Sequence, residues 1–315
     1  MGKIAFLFPG QGSQTVGMGK ELADTNEVVA EIFKRADKRL EMNLSKIVFE
    51  GPEEELILTT NTQPALLTTS VAILEAFKEA KIEADFVAGH SLGEYSALVA
   101  AKAISFEDAV FAVRMRGAFM EEAVPAGLGA MAAILGIDRD VLKEITEEVS
   151  LTGNPVELAN LNCPGQIVIS GSKEGVDKAS LMAKEKGARR IIPLQVSGPF
   201  HSSLMKPAAT KLAEVLNKVD INNAQIPVIV NVSATAVTNG EVIKEMLIQQ
   251  VFSPVLWEDT INYLLQQGVD TFIEIGSGNV LSGLVKKIER KVNVYAVNDS
   301  VTMAKTIESI KGGVS

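Results

Sequence analysis

The chain alternates short apolar runs with longer stretches of helical period. Lys3–Phe8 reads as a buried strand, and a glycine-rich loop, Pro9–Gly19, comes after it. Helical patterns run over Val28–Leu40 and Gln63–Ala80. Phe86–Gly89 is a second apolar strand, and Leu92–Ala103 and Phe106–Ala123 are helical again. Strands that alternate with helices predict an α/β fold built on a parallel sheet.

Pro125–Gly129 has the composition of a hinge, and the pattern changes after it. Ala130–Leu135 is a strand, Arg139–Val149 a helix, Val156–Asn162 and Gln166–Ser170 two strands, Gly175–Lys186 a helix and Arg189–Val196 a strand. The order β-α-β-β-α-β is that of the split βαβ, ferredoxin-like unit. It predicts an inserted subdomain at 128–195 between the two parts of a discontinuous core, 1–127 and 196–315. In the second part, Pro227–Asn231 and Thr271–Ile275 read as strands, and Leu204–Leu216 and Trp257–Gln267 as helices. Lys311–Ser315 reads as a frayed tail.

Composition narrows the function classes. The 315 residues are enough for two domains, or one with an insertion. Lys and Arg number 30 against 39 Asp and Glu, a net charge of −9, which argues against nucleic acid as a main partner. One cysteine, Cys163, excludes a disulfide framework, and with two histidines it leaves little from which to build a metal site. The apolar run Ile4–Phe8 is too short for a signal-peptide core or a membrane span. The expectation is a cytoplasmic protein with a reduced cysteine.

Gly89-His90-Ser91-Leu92-Gly93 matches G-x-S-x-G between a predicted strand and a predicted helix, the context of a nucleophile elbow. The turn is tight enough to need glycine on both sides of the serine. It offers Ser91 as nucleophile, and the Leu92 amide opens the helix, where unpaired N–H groups can hold an oxyanion. The bland alternative is an ordinary turn with Ser91 as a helix cap. A serine needs a base. His90 is turned elsewhere by the elbow, so the reading for it is packing beside the turn. His201, in the small-residue loop Val196–Ser202, is placed to reach across as general base. No acidic residue stands out as a third member, and a backbone carbonyl could orient the imidazole instead.

Arg116 bears on the substrate. On a helical wheel it falls about 180° from Glu107, on the apolar side with Ala109, Ala112, Val113, Phe119 and Met120. A guanidinium there needs an anion, either a protein carboxylate or the carboxylate of a substrate gripped by the arginine fork. The loop Pro9–Gln14 invites a nucleotide reading. However, Thr15 stands where G-x-G-x-x-G needs glycine, and Met18 where a P-loop needs lysine. An oxyanion-hole strand with the Gln11 amide as second donor fits better.

Phe8–Gln14, Gly89–Glu94, Met115-Arg116-Gly117, Phe200-His201-Ser202, Gln250–Val255 and Glu274–Gly278 together resemble the bacterial malonyl-CoA:acyl-carrier-protein transacylases, and the likeness spans nearly the whole chain. The resemblance implies a hydrolase-like α/β core with a ferredoxin-like insertion. It implies that Ser91 carries the malonyl group as an ester and that His201 is base and then acid. The Gln250 main-chain carbonyl would hold His201, the Gln11 and Leu92 amides would form the oxyanion hole, and Arg116 would grip the malonyl carboxylate. Phe200 would mark malonyl selectivity. No cofactor is implied, malonyl-CoA being a substrate. An acyl carrier protein, itself acidic, would be the second partner; candidate docking cations are Arg189 and Arg190 on the small domain and Lys286 and Lys287 with Arg290 and Lys291 near the C-terminus, each at least as readable as a solvated helix face. Ser277-Gly278-Asn279 departs from relatives that carry Pro and Lys there. A serine hydrolase of small esters and a non-catalytic carrier-binding scaffold are the two alternatives; the hydrolase leaves Arg116 without a role.

Overall fold

The computed structural model describes residues 2–125 and 127–312. The predicted hinge at 125–129 thus includes one residue, Ala126, outside the described residues. Of the predicted tail, residues 313–315 also lie outside them, while Lys311 and Gly312 end the helix Ser300–Gly312. Ten strands occur among the described residues: β1 (Lys3–Phe8), β2 (Phe86–Gly89), β3 (Gly129–Leu135), β4 (Val156–Cys163), β5 (Gln166–Ser172), β6 (Arg190–Pro193), β7 (Val228–Val230), β8 (Thr235–Val237), β9 (Val269–Ile275) and β10 (Asn293–Val297).

The first sheet has the order β10-β9-β1-β2-β7-β8 and is parallel except for the edge pair β7/β8. Its central strands are apolar on both faces, as strands covered by helices on both sides must be. Two of its edge strands, β8 and β10, escaped the sequence reading, because they are short and only partly buried. The second sheet, β4-β5-β3-β6, is antiparallel throughout and carries the helices Arg139–Leu151 and Lys173–Glu185. That is the predicted split βαβ arrangement. The chain is therefore a mixed α/β protein with a mostly parallel sheet and a smaller antiparallel one. Strand β4 also bridges to the segment just before the helix Trp257–Gln266: Leu161 N–H donates to the Val255 carbonyl at 2.9 Å, and Val255 N–H to the Ala159 carbonyl at 2.8 Å.

Strand register brings three loop residues together. Phe8 on β1 lies opposite Gly89 on β2, and Ala88 opposite Ile229 on β7. Pro9, His90 and Asn231 therefore leave the sheet side by side, at the carboxyl ends of parallel strands where α/β folds build their sites. The helix Phe106–Glu122 begins at Ser105, whose hydroxyl accepts from Asp108 N–H at 3.1 Å, a cap worth about 1 kcal/mol. It packs on the helix Thr59–Phe77. Gly117 makes that approach possible: a Cβ there would lie 2.7 Å from the Thr59 carbonyl. Pro64, inside the helix Thr59–Phe77, cannot donate to the Thr60 carbonyl, which accepts from Arg114 Nη1 at 2.8 Å instead. Among the described residues no helix is long and apolar enough to cross a membrane.

Candidate active site

A tight turn joins β2 to the helix Gly93–Ala100 at Gly89–Gly93. Ser91 has φ 51°, a left-handed conformation rare outside glycine. A Cβ on Gly89 would fall 1.9 Å from the Gly93 carbonyl carbon, and one on Gly93 would fall 2.1 Å from the Phe8 carbonyl oxygen. Only glycine fits at either place, so the spacing of the motif is a steric requirement. The helix starts at Gly93 rather than Leu92 and ends at Ala100.

His201 comes from the loop after β6 and also has a positive φ, 58°. The loop is pinned on both sides of the histidine. Ser202 Oγ donates to the Pro199 carbonyl at 2.7 Å, and Ser203 N–H to Glu157 Oε2 on β4 at 2.8 Å. His201 Nε2 lies 2.8 Å from Ser91 Oγ, and Nδ1 lies 2.8 Å from the Gln250 carbonyl and 3.1 Å from the Ser253 carbonyl. Two carbonyl acceptors put the proton on Nδ1, so Nε2 is free to accept from the serine hydroxyl. Gln250 ends the helix Gly240–Gln250, where carbonyls have no partner further along the helix. The negative end of that helix dipole serves where an acidic third residue was sought. Burial first, and the Arg116 cation second, push the His201 pKa down to about 3, so the imidazole is neutral at pH 7.

His90 takes the packing role expected of it. Its Nε2 lies 2.8 Å from Asn162 Oδ1, and its ring sits on Trp257 with centroids 5.5 Å apart.

Arg116 is buried, 1 % exposed, as the wheel implied. Nη1 donates to Gln63 Oε1 at 2.8 Å, and Nη2 donates to Gln250 Oε1 at 2.8 Å and to Ser91 Oγ at 3.1 Å. Its guanidinium stands 5.9 Å from the Tyr95 ring centre. Among the described residues no carboxylate lies within ion-pair distance of it, and its Nε has no acceptor. The reading of Arg116 as half of a direct structural ion pair therefore fails, and a buried cation remains beside the serine hydroxyl. The Gln11 and Leu92 amides have no protein acceptor among the described residues. Gln11, Ser91, Leu92, Arg116, Phe200 and His201 all line one cavity of about 410 Å³.

The docking candidates lie elsewhere, all exposed. Arg189 and Arg190 border a neighbouring groove of about 630 Å³ that shares Met131 with the cavity. Lys286 Nζ donates to the Val292 carbonyl and Lys287 Nζ to Gln166 Oε1 at 2.9 Å, so these two ammonium groups already have partners.

Three residues were missed. Gln63 binds Arg116 from the neighbouring helix. Asn231 clamps the elbow: its Oδ1 accepts from Ser91 N–H and its Nδ2 donates to the Gly89 carbonyl, both at 2.7 Å. Glu94 is fully buried and accepts from Asn231 N–H at 2.8 Å and from Gln250 Nε2 at 3.0 Å. Glu94 directly follows the G-x-S-x-G motif, and the available signal was a carboxylate on a short apolar helix that carries no basic residue.

A serine with left-handed backbone, an imidazole within hydrogen-bond distance of it and oriented by main-chain carbonyls, and two amides without protein acceptors among the described residues meet on an α/β fold, an arrangement with the parts that acyl transfer through a serine needs. The model of the acyl transferase domain matches residues 5–307, and the chain belongs to that family. Over 311 residues it is 62 % identical to the malonyl CoA-acyl carrier protein transacylase of Bacillus subtilis (strain 168), covering 99 % of this chain and 98 % of that one. The solved malonyl CoA-acyl carrier protein transacylase of Clostridium perfringens is 45 % identical with a TM-score of 0.95, covering 99 % of this chain and 98 % of that one. A chain of the solved complex of a type II PKS acyl-carrier protein with its malonyl-transacylase matches at 44 % identity and a TM-score of 0.95, covering 98 % of this chain and 99 % of that one.

Proposed function

We propose that this enzyme moves a malonyl group from malonyl-CoA to the phosphopantetheine thiol of an acyl carrier protein through a malonyl ester on Ser91. The observation that carries the reading is the buried Arg116 guanidinium, free of any carboxylate in contact among the described residues and 3.1 Å from Ser91 Oγ. A malonyl group has a carboxylate two carbons from the reacting carbonyl, and the arginine is where that carboxylate would be held.

In the first half-reaction Ser91 Oγ attacks the thioester carbonyl and His201 Nε2 takes its proton. The oxyanion is held by the Gln11 and Leu92 amides. As the intermediate collapses, the C–S bond breaks and His201 returns the proton to the CoA sulfur. In the second half, the carrier thiol loses its proton to His201 and attacks the Ser91 ester, and Ser91 leaves with that proton. The two thioesters are close in energy, so the site must favour the thiol over water; Phe200, Met120 and Leu194 give the cavity apolar walls for this. No cofactor takes part, and the reaction belongs in the cytoplasm and in fatty-acid synthesis. The acidic carrier docks through local basic groups at Arg189 and Arg190 beside the shared groove, with Lys286 and Lys287 as weaker candidates because their ammonium groups are engaged.

Intact-protein mass after mixing with malonyl-CoA tests the reading. The wild type gains one malonyl group and Ser91→Ala gains none; an adduct on that variant refutes it. A hydrolase would release free malonate from the loaded enzyme, whereas the transferase holds the ester until a carrier arrives.

A further inference from the structure

Behind the elbow sits a carboxylate that touches neither substrate cavity nor nucleophile. Glu94 Oε2 accepts from Asn231 N–H at 2.8 Å and from Gln250 Nε2 at 3.0 Å, and Oε1 has no protein partner among the described residues. No cation among the described residues contacts it. A carboxylate in this position is costly, and burial pushes its pKa up to about 7. Hydrogen bonding of the elbow alone does not require a charge there.

The Gln250 amide connects it to the chemistry. Its Nε2 faces only acceptors: the Ser91 carbonyl at 3.0 Å, Glu94 Oε2 at 3.0 Å and Asn231 Oδ1 at 3.4 Å. Its Oε1 is thereby turned to Arg116 Nη2 at 2.8 Å. The ionised carboxylate can only accept, and together with the Ser91 carbonyl on the same side and the Arg116 donor on the other it disfavours the flipped amide. Flipping would set NH2 against guanidinium on one side and oxygen against carboxylate on the other. We infer that Glu94 is a positioning residue that acts through the Gln250 side chain to fix the Arg116 guanidinium, and with it the preference for a carboxylated acyl group. The inference rests on the reading of Arg116 as holder of the malonyl carboxylate.

The test compares kcat/KM for malonyl-CoA and acetyl-CoA in the wild type, Arg116→Ala, Glu94→Met, Glu94→Asp and Glu94→Gln. Glu94→Met keeps the volume and removes the acceptor; its malonyl-to-acetyl ratio is expected to fall at least about tenfold, chiefly through KM for malonyl-CoA. Glu94→Asp leaves the carboxylate a methylene short of Gln250 and should lower the ratio at least about threefold, which keeps the inference testable if the methionine variant does not fold. Glu94→Gln retains an acceptor oxygen held by Asn231 N–H and should stay within about threefold of the wild-type ratio. Equal losses on both substrates in the methionine or aspartate variant would mean a purely structural role and overturn the inference. So would a glutamine variant that falls as far as the methionine variant. Failure of the wild type to transfer malonyl, or of Arg116→Ala to change the ratio, would instead overturn the reading of the site itself.

Discussion

Replacing Arg116 by alanine separates substrate selection from catalysis. The side chain is 1 % exposed and has two glutamine oxygens and the Ser91 hydroxyl as partners. No carboxylate among the described residues neutralises it by direct contact. Binding of a malonyl carboxylate would pair this cation in a site shielded from water, and removing one partner of such a pair costs about 2–5 kcal/mol. At 1.36 kcal/mol per decade, that is a fall in malonyl kcat/KM of about 30-fold to about 5,000-fold. Acetyl transfer should change by less than about tenfold or rise, because acetyl offers no anion and the variant no longer buries an unpaired cation beside it. CoA release measured with both thioesters, on protein whose unfolding temperature is recorded in parallel, gives the two numbers. Arg116→Lys should recover only part of the malonyl rate, since an ammonium lacks the planar fork that reaches both glutamines. Equal losses for malonyl and acetyl would show that the arginine only supports Ser91 and Gln250 and has no part in selectivity.

Gly89→Ala should abolish acylation and lower stability sharply, because its Cβ would meet backbone atoms of Gly93 at 1.9 Å; Gly12→Ala, with φ 103° and no atom within 4 Å of the new Cβ, should cost only backbone strain of about 1–2 kcal/mol. Comparing the unfolding midpoints of the two variants checks this, and similar losses would contradict the steric account. Glu94 has a folded pKa raised to about 7, so the folded state holds more protons than the unfolded state between about pH 4.5 and 7, and its burial weakens the fold as pH rises through that window. His201 works in the opposite sense: with its pKa down at about 3, stability is lost as pH falls from about 6.5. The Glu94→Gln variant should therefore gain stability relative to the wild type from pH 5 to pH 8 in denaturant unfolding, with the His201 contribution cancelling; a difference that does not vary with pH would refute a carboxyl titrating near neutrality.

The sequence by itself determined those features whose physics is local. The elbow is one: Gly89, Ser91 and Gly93 lie within a single turn, and the clashes that demand glycine come from neighbours a few residues away or from the adjoining strand. The alternation of apolar strands and helices sufficed for the α/β core and the split βαβ unit, because burial on two faces leaves a continuous apolar run in the chain and burial on one face leaves a period. Arg116 was legible because a charge on an apolar helix face is a conflict within its own helix. His201 was legible by scarcity, being one of two histidines in the chain.

Tertiary structure decided everything that depends on partners far apart in the chain. Glu94 stands beside the motif itself, yet its role is invisible there, since its donors are 137 and 156 residues away. Asn231 becomes a clamp only because β7 pairs with β2 in the register that sets it beside the elbow. The side chain of Gln250 becomes a bridge only because its helix ends against His201 and Arg116. No periodicity reports such contacts: a hydrogen bond between distant residues constrains their positions in space and leaves no spacing in the sequence.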